Sequence, residues 1–254
     1  MTTLPTDDPL AVAVTTAIHH GDVATLRRLL VENTGLARAR LGEACGTGGM
    51  SRSLLHVATD WPGHFPNGAA TVAALVEAGA DVNARFEGPH DETPLHWAAS
   101  SDDVTVLDAL LDAGADLEAP GAVVGGGTPL ADAVAFGQWN AARRLLERGA
   151  STGFREAAGL GLYDRVVERF SAAAVAASST PIQDELNQAL WYACHGGQLR
   201  VAQLLLERGA HLDWVGWNDQ TPLDVARRSG ALDVVAWLEA RGARSASSIG
   251  RADS

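Results

Sequence analysis

Short apolar segments recur along the chain at an almost even spacing. Thr-Pro-Leu stands at 93–95, 128–130 and 221–223, and each copy opens one such segment. A second segment follows, as at Val104–Leu111, and a Gly-Ala pair closes it at 79–80, 114–115, 149–150, 209–210 and 242–243. Those pairs lie 35, 35, 60 and 33 residues apart. Two registers that agree on one period define an internal repeat, and a repeat decides the fold before any other feature does. The local chemistry predicts paired helices. Pro94 has a fixed φ and a missing donor that suit the first position of a helix. Thr93 can cap that helix, and Gly114 supplies the left-handed residue that ends the second one. No β-branched strands lie between the helices, so a parallel α/β fold is not predicted.

The clearest unit is Glu92-Thr93-Pro94-Leu95-His96-Trp97-Ala98-Ala99, then Val104–Leu111, then Gly114-Ala115-Asp116. It resembles the ankyrin repeat, whose signature is T-P-L-H-x-A-A, a second helix and G-A-D. The resemblance covers roughly 10–243 and implies an all-α ankyrin-repeat solenoid of about seven helix-turn-helix units with short hairpin fingers. Aligned on the anchors, the units run 9–41, 53–84, 92–119, 127–150, 151–170, 185–213 and 219–243. Residues 1–8 are expected to be a flexible N-terminus and 244–254 a disordered tail. A lone unit cannot bury its apolar face, so stacking makes the core. Leu95, Leu110, Leu111, Leu130, Leu145, Leu146, Leu190, Leu204, Leu205 and Leu223 belong to that core. His56 and His96 occupy the histidine slot, where the resemblance implies a hydrogen bond to the neighbouring repeat.

Three departures break the pattern. Unit two carries five extra residues between its helices, within Asp60-Trp61-Pro62-Gly63-His64-Phe65-Pro66-Asn67-Gly68. Its prolines and glycines make a defined loop. Trp61 and Phe65 either tuck onto neighbouring helices or form a flap over one end of the groove. Unit five has no room for a finger before Arg155, and the Ala/Ser-rich linker 171–181 follows it, which implies a local kink. Asp102 stands where a glycine is usual.

In ankyrin stacks the first helix lines the concave side, and the residue after the histidine slot points partly into it. That column reads Thr16, Val57, Trp97, Asp132, Glu156, Tyr192, Val225, and His195 lies in the column three positions on. With Asp102, Phe136 and Trp139 nearby, and Asp60, Trp61 and His64 on the loop, these residues are the candidate partner-binding set. Indole and phenol faces beside carboxylates suit a cation. The plainer reading is a solvated groove.

Charge changes the picture of the partner. The 31 acids outweigh 19 basic residues, all of them arginine, for a net charge of −12. Such a surface repels phosphate, so nucleic acid and anionic membranes are not expected as partners, and a basic protein or peptide is. The absence of lysine excludes Schiff-base and P-loop lysine chemistry. Cys45 and Cys194 are too few for a zinc framework and read as a reduced pair, with one disulfide as the alternative. No metal-type histidine spacing or nucleophile elbow appears, so no metal, cofactor or catalytic residue is assigned. No apolar stretch reaches about 18 residues. The expectation is a cytoplasmic, monomeric, non-enzymatic scaffold. The alternative is a small-molecule or noncanonical enzymatic site at the central units, closed by the 60–68 loop and using Asp132, Glu156 or a histidine.

Overall fold

The computed structural model describes residues 2–43, 49–171 and 182–249. They form two compact units that meet in sequence at Ala150 and Ser151, where the fifth repeat lacks its finger.

The first unit holds α1 (Pro9–His19), α2 (Val23–Glu32), α3 (Leu54–Thr59), α4 (Gly68–Glu77), α5 (Pro94–Ser100), α6 (Val104–Asp112), α7 (Pro129–Ala135) and α8 (Trp139–Glu147). First helices stack on first helices, α1 on α3, α3 on α5 and α5 on α7. Second helices do the same, α2 on α4, α4 on α6 and α6 on α8. The second unit repeats this with α9 (Phe154–Leu160), α10 (Tyr163–Glu168), α11 (Ile182–His195), α12 (Leu199–Glu207), α13 (Pro222–Arg228) and α14 (Leu232–Glu239). There α11 lies between α9 and α13, and α12 between α10 and α14. This is the all-α helix-turn-helix solenoid that the repeat implies.

Eight of the leucines assigned to the core are buried, while Leu111 and Leu146 are half-buried at the second-helix surface. Alanine at Ala98, Ala99 and Ala133 is wholly buried, and its small size lets neighbouring helices approach. The closing glycines take left-handed backbone, as Gly114 does at φ +92°. A second left-handed residue sits between the helices of most repeats, Gly137 among them, and Asp102 takes that position at φ +58°. An L-residue there costs about 1 kcal/mol. Asp102 offsets it by accepting from the Ala141 amide at 2.7 Å and from Asn140 Nδ2 at 2.8 Å, which caps α8 of the next repeat.

The histidine slot couples repeats as expected. His96 Nδ1 lies 2.9 Å from Thr93 Oγ1, and Nε2 lies 3.3 Å from the Gly127 carbonyl of the next repeat. His56 repeats the arrangement with Ser53 Oγ at 2.8 Å and the Glu92 carbonyl at 3.1 Å. Burial holds both imidazoles neutral, His56 down to about 3 and His96 to about 4. The unfolded chain protonates them near pH 6.5, so their contribution is intact above that pH and drains away as pH falls. Denaturant titration at pH 7 and pH 5 should show a loss of about 1–2 kcal/mol for each imidazole. His96→Gln, which cannot take up the proton, should remove about half of that loss and leave the part due to His56.

Two expectations fail at the ends. The N-terminus is not free: β1 (Thr3–Leu4) pairs in parallel with β2 (Arg40–Gly42), which pairs antiparallel with β3 (Ser51–Ser53). This small sheet leads into α3, and the buried Arg40 ties it down through Ser51 Oγ at 2.6 Å and the Arg85 carbonyl at 2.8 Å. The tail is not free as far as Ile249 either. Arg244 Nε meets Asp213 at 2.8 Å, and the Ala246 amide donates to Asp224 Oδ2 at 2.8 Å at the start of the turn α15 (Ala246–Ile249). Cys45 and most of the 171–181 linker lie outside the described residues. Cys194 is a buried free thiol pushed well above its ordinary pKa by desolvation, which suits packing rather than reactivity.

Candidate functional site

On the first-helix side of the first unit, a cleft of about 190 Å³ opens between the ends of α3, α5 and α7. Asp60 and Trp61 form one wall, Trp97 and Ser100 the middle, and Phe136 and Val123 the far wall, with Glu92 also lining it. Trp61 is 82% exposed and Phe136 47% exposed, so this unit presents two large apolar side chains to water at the rim.

The floor is polar and buried. Glu92 precedes the cap of α5, and Asp132 sits in the first turn of α7. Asp132 Oδ1 accepts from the Val123 amide at 3.1 Å, the Val124 amide also favours the ionised carboxylate, and Oδ2 has no hydrogen-bond partner within contact geometry. The neighbour able to supply a proton is the Glu92 carboxyl, which faces Asp132 and accepts from the Trp97 indole. Desolvation, then repulsion from Glu92, pushes Asp132 up to about 7, and desolvation raises Glu92 as well. Repulsion between two buried carboxyls opposes their joint ionisation, which favours one proton on the pair.

The structure brings together Asp60, Trp61, Trp97 and Phe136 from the predicted set. It corrects several other expectations. Asp132 does not line the groove: it is 0% exposed, because the 121–127 finger folds over α7 and its Val123 amide captures the carboxylate. Asp102 is turned to the α8 cap described above. Asp60 is already paired with Arg52 of β3. His64 faces away from the cleft, its amide donating to Asp103 Oδ2 at 2.7 Å and its ring 3.0 Å from the Ser101 carbonyl. Trp139 opens α8 half-buried and outside the cleft lining. Glu156, Tyr192 and His195 belong to the second compact unit. There Tyr192 and His195 are buried rather than groove-facing, the first under Trp217 at 5.0 Å and the second with Nδ1 on Ser229 Oγ at 2.8 Å. Glu156 lies half-buried in the first turn of α9.

The 60–68 loop is neither wholly tucked nor a flap. Asn67 Nδ2 donates to the Gly21 carbonyl at 2.9 Å, and Phe65 stacks on His19 at 4.4 Å. A Cβ on Gly21 would lie 2.1 Å from the Pro66 carbonyl oxygen, so the two backbones touch there. With His64 bound to the following repeat, the loop is fastened on both sides and leaves Trp61 outside. A larger hollow of about 400 Å³ runs between α4 and α6 behind the loop, open to water.

Glu92 is the residue the groove columns omit. A signal existed, since the position before the cap reads Arg52, Glu92, Gly127 and Gln220 in units two, three, four and seven, with an acid in the unit next to an arginine. Among the described residues there is no group of three metal-type side chains, and no helix long and apolar enough to cross a membrane.

The repeat geometry agrees with comparison to known proteins. A family profile described as ankyrin repeats in three copies matches residues 67–156 and 157–247. The chain therefore belongs to the ankyrin-repeat family, whose members are generally protein-interaction scaffolds without enzymatic activity. It is similar to an ankyrin repeat and KH domain-containing protein of Caenorhabditis briggsae, 30% identical over 186 residues. The match takes 71% of this chain and only 7% of that relative, so it speaks for the repeats alone.

Proposed function

We propose that this protein is a cytoplasmic, monomeric, non-enzymatic scaffold that binds a basic protein or peptide, and that a cationic side chain of the partner enters the cleft at Trp61, Trp97 and Phe136. The observation that carries the reading is an 82% exposed indole standing at the mouth of a cleft that has carboxyls in its wall and floor. Indole faces attract a guanidinium by about 0.5–2 kcal/mol each, more as water is excluded. Buried aromatic anchors are what interfaces use as hot spots. The net charge of −12 favours a basic partner and disfavours nucleic acid and anionic membranes.

The small-molecule alternative gains no support at the central repeats. The cleft is shallow and, at about 190 Å³, smaller than the roughly 300 Å³ that ligand pockets start from. The 400 Å³ hollow lies behind the loop, away from both indoles. The test is isothermal titration with the acetylated, amidated hexamer of arginine. Saturable binding that weakens as salt rises is expected. No binding, or equal binding of a hexamer of glutamate, contradicts the proposal.

A further inference from the structure

We propose that Glu92 is the residue that contacts the cation in the cleft, and that docking of a guanidinium there expels the proton Glu92 shares with Asp132. The inference rests on the cation-docking reading above and adds its chemistry and regulation.

Three observations lead to it. Asp60, the other carboxylate of the cleft wall, is held by Arg52, whereas Glu92 meets no arginine among the described residues. Glu92 is itself 7% exposed, opens into the cleft, and is oriented by the Trp97 indole. Behind it, Asp132 is fully buried, its Oδ1 on the Val123 amide and its Oδ2 without a hydrogen-bond partner. The Val123 and Val124 amides favour its ionised form, but burial and repulsion from Glu92 outweigh them, so a carboxyl proton fits between the two acids. An empty cleft therefore keeps the pair singly charged. A bound guanidinium stabilises the doubly ionised pair, because an opposite charge at contact distance favours ionisation. The balance is simple: the guanidinium enters, one proton leaves to solvent, and no bond other than O–H breaks.

The charged groups around the pair do not replace it. His56 of α3 and His96 of α5 are neutral and committed to carbonyls. Asp60, after α3, and Arg52 of β3 neutralise each other. His90, in the preceding finger, acts on Glu92 only through its field. On α7 the group facing Glu92 is Asp132.

The test is titration with the same arginine hexamer, whose charge is constant between pH 5.5 and 8.5. With Asp132 pushed up to about 7 in the empty cleft, wild-type affinity should rise about thirtyfold from pH 5.5 to 8.5. Titrations at pH 7 in phosphate and in Tris should show roughly half to one proton released for each peptide bound. Asp132→Asn keeps an acceptor for the Val123 amide and leaves Glu92 to ionise alone, so its binding should lose most of the pH dependence and the proton release. Glu92→Gln should bind at least about tenfold more weakly than wild type at pH 8.5. His90→Gln should retain the wild-type profile. Should Asp132→Asn fail to fold, the proton count in the wild type still decides. Equal affinity at both pH values, no proton release, or a Glu92→Gln variant that binds like wild type overturns the inference while the docking reading stands. A hexamer that does not bind at any pH overturns both.

Discussion

Trp191→Ala is expected to cost about 3–5 kcal/mol of the second unit's stability. Trp191 is 2% exposed in α11 and sits at the centre of an aromatic cluster. Its ring meets Tyr192 at 5.4 Å, His195 at 5.4 Å and Trp217 at 5.3 Å, and its indole N–H donates to the Gln220 carbonyl at 3.1 Å. Truncation removes a large buried surface and one of two donors to that carbonyl, which keeps the Gly216 amide at 2.9 Å, so the lost packing dominates the cost. The finger carrying Trp214 and Trp217 rests on this ring, so it should loosen first. Urea denaturation read by tryptophan fluorescence checks the size, and a loss below about 1 kcal/mol would mean the cluster is not a core.

The second large effect is on binding. Trp61→Ala combined with Phe136→Ala should reduce affinity for the arginine hexamer by about thirtyfold or more, since two rim anchors worth at least about 1 kcal/mol each are lost. Trp61 is mainly solvent-exposed and Phe136 about half, so the thermal midpoint should move by no more than a few degrees. Trp97→Ala is the poorer probe. Trp97 packs on His56 at 4.9 Å and Phe86 at 5.3 Å, and its loss would disturb the stack as well as the cleft. Unchanged affinity in the double variant would move the docking site away from this cleft.

The fold was legible because the repeat writes its physics into few residues. A proline and a capping residue start one helix, paired alanines set its spacing, and a left-handed glycine ends the next. Each of these recurs in the structure where the spacing puts it. The site was half legible. Trp97 and Phe136 follow from helical register, and Trp61 from an insertion too rich in proline to be helix. Asp132 was misplaced because its carboxylate is directed by the 121–127 finger, whose glycine-rich backbone folds over α7 in a way no register predicts. Asp102 was misplaced for a related reason. A left-handed residue aims its side chain across the turn, here onto the amide of Ala141 in the next repeat. Tyr192 shares the groove column of Trp97 and His195 lies in the column three positions on, yet Trp217 packs on the first and Ser229 holds the second. Columns fix where a helix points, and the fingers decide what is left uncovered. Glu92 was missed because it lies one residue before the cap, outside either helical column.

The seven tryptophans provide seven indole N–H resonances in one spectrum. Titrating 15N-labelled protein with the arginine hexamer, with assignments from single Trp→Phe variants, locates the docking site directly. Cation docking at the rim of the first unit predicts that the Trp61 and Trp97 resonances shift first and together, while those of Trp191, Trp214, Trp217 and Trp237 stay in place. Shifts confined to the tryptophans of the second unit, with Trp61 unmoved, would contradict it.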